Sequence, residues 1–403
     1  MKIKKKIILV LIDGMGDRGE ATPLEKAKTP AMDFLAKNGK TGLMYSVDKG
    51  IAPESDVAVM SILGYDPAKY YCGRGPIEAL GVGIKTRLGE LTLRGNFATV
   101  DNNWNIIDIR AGRIGDREAK ELIAELEEIE LTDADFMIKH LGGYRFVLKI
   151  KGPFHLSPKI TNTHPGYVLA GEIPIALPKS KWKIKKSEAL SNSRGAITAA
   201  KLVNEFTEKS YKILKNHPLN KKRKLPANIV VLRDAGNKLP VLPTYEQKYG
   251  QIWISITEKP VERGLSILAG MDTKEYELGV YDGVADMVNK SLEYYDGVYL
   301  HIKGPDNFGH DGDFMGKKNI LEKIDKKIIS KLDRDAVICI TADHSTPCDL
   351  KAHSSDPVPV LIYGGKSDNV KKFGENFCNK GSLGFIKGIQ LMDLVEETAC
   401  TLQ

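Results

Sequence analysis

Three short stretches of the chain carry side chains able to ligate metal ions. TADHSTPCDLKAHSSDPVPV (341–360) follows the apolar run AVICI and holds Asp343, His344 and His353. GPDNFGHDGD (304–313) follows YDGVYLHIK and holds Asp306 and His310, while Asp13 closes IILVLI near the N-terminus. Taken one at a time, each residue has a plain reading as a turn-forming aspartate or a solvated imidazole. Taken together, three carboxylates and three imidazoles can hold two divalent cations, a donor mix that serves Mn or Zn. A pair of such cations clamps the attacking and leaving oxygens of a phosphoryl transfer.

That chemistry needs a nucleophile or a bound water. IAPESDVAVMSILGYDP (51–67) offers Ser55, which precedes an apolar run and reads as the N-cap of a helix. Backbone N–H groups at a helix start favour an incoming phosphate. A metal-bound serine also loses its proton more easily and can accept a phosphoryl group. Away from a metal pair, Ser55 would be a cap and nothing more.

Every one of the acidic and imidazole groups lies beyond an apolar run that reads as a strand. Residues 7–12 are continuous, β-branched and ended by Asp-Gly. Further strand-like runs are 227–233, 251–257, 295–303, 336–341 and 357–363. Helical patterns fall between several of them, including 315–332 and TPAMDFLAKNG, with Thr29 as cap, Pro30 at the first helical position and Gly39 as stop. The alternation predicts an α/β fold with a mostly parallel sheet and helices on both faces. In such a sheet the carboxyl ends of the strands share one edge, where ligands bind. The middle of the chain differs. From about Lys85 to Leu239 it mixes short strands (ELTLRGNFATV, YRFVLKI) with the charged helix DREAKELIAELEEIEL, which reads as an inserted α+β unit.

The bulk composition is that of an ordinary globular protein of about two to three domains, with 403 residues, 42% hydrophobic and 28% charged. A net charge of +7 is a mild excess that suits anionic small molecules. The basic stretches KWKIKK (181–186) and KKRK (221–224) read as solvated surface, and no aromatic-basic interleaving supports a nucleic-acid groove. Five scattered cysteines without a CxxC point to reduced thiols and a cytoplasmic setting. IILVLI is too short for a signal peptide core, and no run approaches the ~20 apolar residues of a membrane span. Oligomeric state is not legible.

LIDGMGDR, PESDVAVMSILGYDP, YYCGRGPIEALGVG, GPDNFGHDGD and TADHSTP…HSSDPVPV together resemble the archaeal cofactor-independent phosphoglycerate mutases of the alkaline phosphatase superfamily. DIRAGRI (108–114) and HPLNKKRKLPANIVVLRDAG (217–236) extend the likeness into the middle section. The resemblance implies an alkaline-phosphatase-like core (1–85 and 240–403) with an inserted lid domain (86–239) swinging on connections near 85 and 239. It implies that Asp306, His310 and His353 hold one metal. Asp13, Asp343 and His344, with the Ser55 oxygen, would hold the other. Mn leads the expectation for both ions, and Mg, Zn or Co would also fit. Ser55 would take the phosphoryl group from 3-phosphoglycerate, and the glycerate would reorient in a closed, dry site and take it back on its 2-hydroxyl. By position, Lys248 and Arg233 resemble the family's substrate-binding residues, with Arg145, Arg110 and Arg113 as further candidates.

The chain also departs from that pattern. Where the archaeal mutases typically read LSDKVTDTDPH, it has LSPKITNTHPG (156–166), so lid carboxylates give way to Pro158, Asn162 and His164. An acid there would be expected to move protons on the glycerate hydroxyls, and His155 or His164 are the substitutes at hand. Glu54 also stands before the serine, where glycine is more usual. Two other readings use the same residues: a metal-dependent phosphatase or homoserine-kinase-like phosphotransferase, and a catalytically silent binding protein on the same scaffold.

Overall fold

The computed structural model describes residues 4–170, 173–176 and 182–400, so Lys181 of the basic stretch lies outside the described residues. The chain forms two compact units, Met1–Tyr70 with Val241–Gln403, and Tyr71–Pro240.

The first unit is built on an eight-stranded sheet: β1 (Ile7–Ile12), β2 (Gly39–Tyr45), β3 (Trp253–Thr257), β4 (Asp272–Glu275), β5 (Gly297–Ile302), β6 (Val337–Thr341), β7 (Val358–Tyr363) and β8 (Gly384–Lys387). Their spatial order is β4-β3-β5-β1-β6-β7-β2-β8, with only β7 reversed. β1 sits in the interior with all six side chains buried, as a continuous apolar run requires when both faces of a sheet are covered. One helix layer contains Pro30–Lys37 and Phe314–Lys327, and another contains Ser55–Ile62, Pro260–Leu268 and Gly388–Ala399. Gly39 does not serve as a helix stop. Asn38 is the C-cap, and Gly39 opens β2 because a Cβ there would sit 2.6 Å from the Ile362 carbonyl oxygen of β7.

The register of the central strands decides where chemistry can occur. Ile12 lies opposite Ile302 and Leu11 opposite Thr341, so the next residues bring Asp13, Lys303 and Asp343 to one level at the carboxyl edge. Gly14, at φ +60°, lets the loops after β1 and β5 close: a Cβ there would lie 2.7 Å from the Asp306 Cα. Lys317 braces the loops after β1 and β6. Its buried ammonium donates to Gly16 O (2.8 Å), Asp17 Oδ2 (2.9 Å) and Thr346 O (2.9 Å), satisfying all three protons.

Glu375 supports the same β1 loop, accepting from the Asp17 N–H (2.9 Å) and the Thr22 hydroxyl (2.6 Å). Burial pushes its carboxyl up to about 7. A carboxyl whose folded value lies above its unfolded one contributes stability that is complete below about pH 4.5 and lost as pH rises through about 7, here up to about 3 kcal/mol. The thermal midpoint should therefore fall between pH 5 and 8, and Glu375→Gln should flatten that slope; an unchanged slope in the variant would assign it elsewhere.

The second unit is antiparallel. Its sheet places the Leu91–Val100 strand between Arg145–Lys151 and Ile229–Gly236, with Asp135–Gly142 beyond and Ile106–Asp108 at one end. Helices Asp116–Glu127 and Arg194–Asn216 bury their apolar faces in a core that includes Phe97, Phe146, Leu122 and Phe206. The ANIVVLR run belongs here and not to the parallel sheet. This unit begins at Tyr71, before the expected residue 86, because helix Arg74–Gly81 packs on the Leu91–Val100 and Ile229–Gly236 strands.

Candidate metal centre and arginine cluster

At the carboxyl edge of β1 and β6, three oxygens surround one imidazole nitrogen. Asp13 Oδ1, Asp343 Oδ2 and Ser55 Oγ each lie 3.3 Å from His344 Nε2. Donors bound to a shared tetrahedral cation at about 2.0–2.1 Å stand about 3.3–3.4 Å from one another, so this spacing matches the edge of such a shell. Asp13 Oδ1 and Asp343 Oδ2 are buried with no hydrogen-bond donor among the described residues. Buried anionic oxygens left so are costly unless a cation answers them.

The tautomer of each histidine follows from what its other nitrogen meets. Thr346 Oγ1 donates to Asp306 Oδ1 (2.8 Å) and so accepts from His344 Nδ1 (3.0 Å). His353 Nδ1 donates to Pro53 O (2.9 Å), and His310 Nδ1 to Lys351 O (3.1 Å). In the neutral ring, the form that binds a metal, each of the three therefore turns its lone pair on Nε2 toward the carboxylates. The Nε2 atoms of His310 and His353 each lie 3.5 Å from Asp306 Oδ1, and donor atoms of these three residues fall within 4.8 Å of one another. Asp306 also comes within that distance of Asp13 and His344, which joins the two groups. The His344 and His353 rings stack at 3.7 Å.

Electrostatics keeps the carboxylates ionised. Burial alone would raise Asp13, but the Lys303 ammonium and His344 override it and hold the group well below the usual carboxylate range. Burial and the neighbouring Asp13 would likewise raise Asp306, yet His353 and His310 hold it low. His353 is pushed up to about 9: burial opposes the charge, and the Asp306 and Glu54 carboxylates win.

Two supporting residues escaped the sequence reading. The Lys303 ammonium lies 2.5 Å from Asp13 Oδ2 and 2.7 Å from Glu262 Oε1, and burial, which would discharge it, is outweighed by these acids, so its pKa is raised. With Oδ2 occupied, Asp13 offers Oδ1 alone to the centre. A third grouping, Asp13 with Asp343 and the buried His301, lies close to the same lysine. The signal was a lysine at the end of an apolar strand, which reads as surface until the strand proves internal. Ser55 also differs from expectation: Glu54 occupies the cap position and Ser55 is the first helical residue, so its hydroxyl is not spent on capping.

Thr346→Val would keep the shape but leave His344 Nδ1 without its acceptor. Cation affinity should fall about 10–100-fold with little change in thermal midpoint. Calorimetric titration with Mn²⁺ checks this, and unchanged affinity would show that the hydroxyl does not set the tautomer.

The second unit carries a cluster of arginines. Arg74 Nε and Arg94 Nη1 converge on Glu78 Oε1 at 2.9 and 2.7 Å, all three side chains buried. Burial, reinforced by Arg74, lowers Arg94 to about 10 despite Glu78, and Arg233 and Arg145 add to the effect. Burial would raise the Tyr144 hydroxyl, but Arg145, Arg110 and Arg94 pull it below its usual value. Arg233, Arg145 and Arg110 thus gather with Arg74 and Arg94, which the sequence reading left out; a charged residue inside the apolar run LTLRGNFATV was the available sign. Arg113 is exposed. Lys248 belongs to the first unit, where its ammonium donates to Gly64 O (2.7 Å), past the C-terminal end of the helix that Ser55 begins. The helix spans about 12 Å, which sets Lys248 apart from the metal-ligating side chains.

The model of the 2,3-bisphosphoglycerate-independent phosphoglycerate mutase family matches residues 36–220. Mutases of that name from Aeropyrum pernix and Archaeoglobus fulgidus are 40% and 39% identical, over 95% and 96% of this chain and 96% of each relative. A Pyrococcus horikoshii structure superposes with a TM-score of 0.79 at 29% identity, covering 100% of this chain and 99% of that one. The cofactor-independent phosphoglycerate mutase of Thermoplasma acidophilum gives 0.63 at 31% identity, covering 98% and 100%. Likeness at this level over almost the whole length, in sequence and in fold, places the chain in the 2,3-bisphosphoglycerate-independent phosphoglycerate mutase family.

Proposed function

We propose that this protein interconverts 3-phosphoglycerate and 2-phosphoglycerate through a phosphoserine at position 55, with no bisphosphoglycerate required. The observation that carries the reading is the place of the Ser55 hydroxyl, one of three oxygens gathered about His344 Nε2. Asp13, Asp343, His344 and Ser55 would hold one divalent cation, and Asp306, His310 and His353 the other. When bound, the two ions lower the pKa of the serine hydroxyl and offset charge on the transferring phosphoryl group. The mixed carboxylate, imidazole and hydroxyl donors favour Mn²⁺, with Mg²⁺, Zn²⁺ and Co²⁺ as alternatives.

Ser55 Oγ forms the new bond to phosphorus while the bond from phosphorus to the glycerate 3-oxygen breaks; the 2-hydroxyl then reverses the exchange. Ser55 opens an eight-residue helix, whose first N–H groups suit a phosphate. Arg74, Arg94, Arg145 and Arg233, with Arg110, supply forks for substrate carboxylate and phosphate. The Tyr71–Pro240 unit serves as a lid that keeps water from the phosphoserine, the difference between a mutase and a phosphatase. Among the described residues no helix is long and apolar enough to cross a membrane. A reducing, cytoplasmic setting completes the reading.

The test is to give the metal-loaded protein 3-phosphoglycerate with no bisphosphoglycerate and follow 2-phosphoglycerate through enolase. Mass analysis of the quenched enzyme should find phosphate at Ser55. Phosphate release without 2-phosphoglycerate would replace this reading with a phosphatase.

A further inference from the structure

The Asp13 oxygen that Lys303 contacts borders a second set of buried donors. Leu11 pairs with both His301 and Thr341, and side chains two residues apart share a face. Asp13, His301, Lys303 and Asp343 therefore gather on one side of the sheet. Helix Pro260–Leu268 brings Glu262 to the same place, 2.7 Å from the Lys303 ammonium. Asp343, Glu262 and His301 are fully buried, at 0% exposure.

The acceptors in this set exceed the protons offered to them. One nitrogen of His301 and one oxygen each of Asp13 and Asp343 fall within 4.8 Å of one another. His301 Nδ1 meets the Tyr299 hydroxyl (2.7 Å). Its Nε2, 3.8 Å from Glu262 Oε1, has no hydrogen-bond partner among the described residues, and neither has Glu262 Oε2. Lys303 reaches into the group, with its ammonium 2.5 Å from Asp13 Oδ2. Carboxylates with an imidazole make a donor set for a divalent cation, yet a single ammonium answers them here.

We propose that Lys303 is a tethered cation filling a third metal position, one that Asp13, Asp343, Glu262 and His301 would otherwise give to a divalent ion; this rests on the two-ion reading above. Without the ammonium, buried carboxylates would face one another uncompensated, which drives them to capture a cation or give up their charge. With it, the position carries a positive charge that no chelator removes and no competing ion displaces. Asp13 Oδ2 is reserved as well, so Asp13 cannot chelate an ion through both oxygens. Lys303 thus acts on the centre through Asp13, as a positioning residue, and holds the number of exchangeable ions at two.

The test compares the full-length parent with Lys303→Ala and with Lys303→Ala/Glu262→Gln, each stripped with a chelator, reloaded with Mn²⁺ and freed of loose ion by gel filtration. Elemental analysis should find two ions per chain in the parent and three in Lys303→Ala. The double variant loses an acid along with the ammonium, so it should return to two and fold without added metal. Between chelator and saturating Mn²⁺, the thermal midpoint of Lys303→Ala should rise about 5 °C more than the parent's, because the third ion binds only the folded chain. Two ions in Lys303→Ala, a rise no larger than the parent's, or a Lys303→Ala chain that stays unfolded in Mn²⁺ overturns the proposal. A third ion in the parent or in the double variant does the same. A parent holding fewer than two ions sinks the two-ion reading itself and this one with it.

Discussion

Ser55→Ala is expected to abolish phosphoglycerate interconversion, with kcat lowered about 10⁴-fold or more. Losses of that size follow removal of a nucleophile that forms a covalent intermediate. The fold should survive, because the hydroxyl does not cap its helix and its one described hydrogen bond is to His344 Nε2. A thermal midpoint within a few degrees of the parent's would show this. The enolase-coupled rate and the mass of the quenched protein give independent readings: the variant should show neither product nor added phosphate. A variant that still turns over at a tenth of the parent's rate would mean that the phosphoryl group never visits this residue.

Removing divalent cations with a chelator should silence the enzyme just as completely while leaving it folded. The donors are held by other means: strand register aligns Asp13 with Asp343, each imidazole is anchored through Nδ1, and Lys303 answers Asp13 Oδ2. Circular dichroism of the stripped protein should match that of the loaded one, with the thermal midpoint lowered only as loss of a bound ligand requires. Adding back Mn²⁺ should restore activity, and elemental analysis should find two ions per chain. Full activity in thoroughly stripped protein would exclude the metal centre.

Much of this arrangement can be read from the chain because it depends on short-range pattern. IILVLI, VYL within YDGVYLHIK and AVICI announce buried strands through apolar runs, and the residues after them announce loops. Adjacency is another matter. Nothing local tells β1 that its neighbours will be β5 and β6, and that pairing is what brings Asp13 level with Lys303 and Asp343. β4, with all four residues exposed, and β2, interrupted by glycine, lack the periodicity that marks a strand. The Arg74–Gly81 helix groups with the second unit through strand partners that no local pattern discloses. Lys248 resembles the family's substrate-binding lysine by position, and its contact with the Gly64 carbonyl is one that only tertiary structure creates.

The order of segments along the chain has a bearing on how the protein is made. The Tyr71–Pro240 unit is continuous and can complete its core while the remainder is still on the ribosome. β1 leaves the exit tunnel first among the strands, with six apolar side chains, and its sheet neighbours at 297–302 and 337–341 are translated last but a few. For most of synthesis it is therefore a sticky, unpaired strand, the kind of segment that chaperones shield and that seeds aggregation when they are scarce. The ligand set cannot close until those late strands arrive, so the nascent chain stays blind to metal until His353 has emerged.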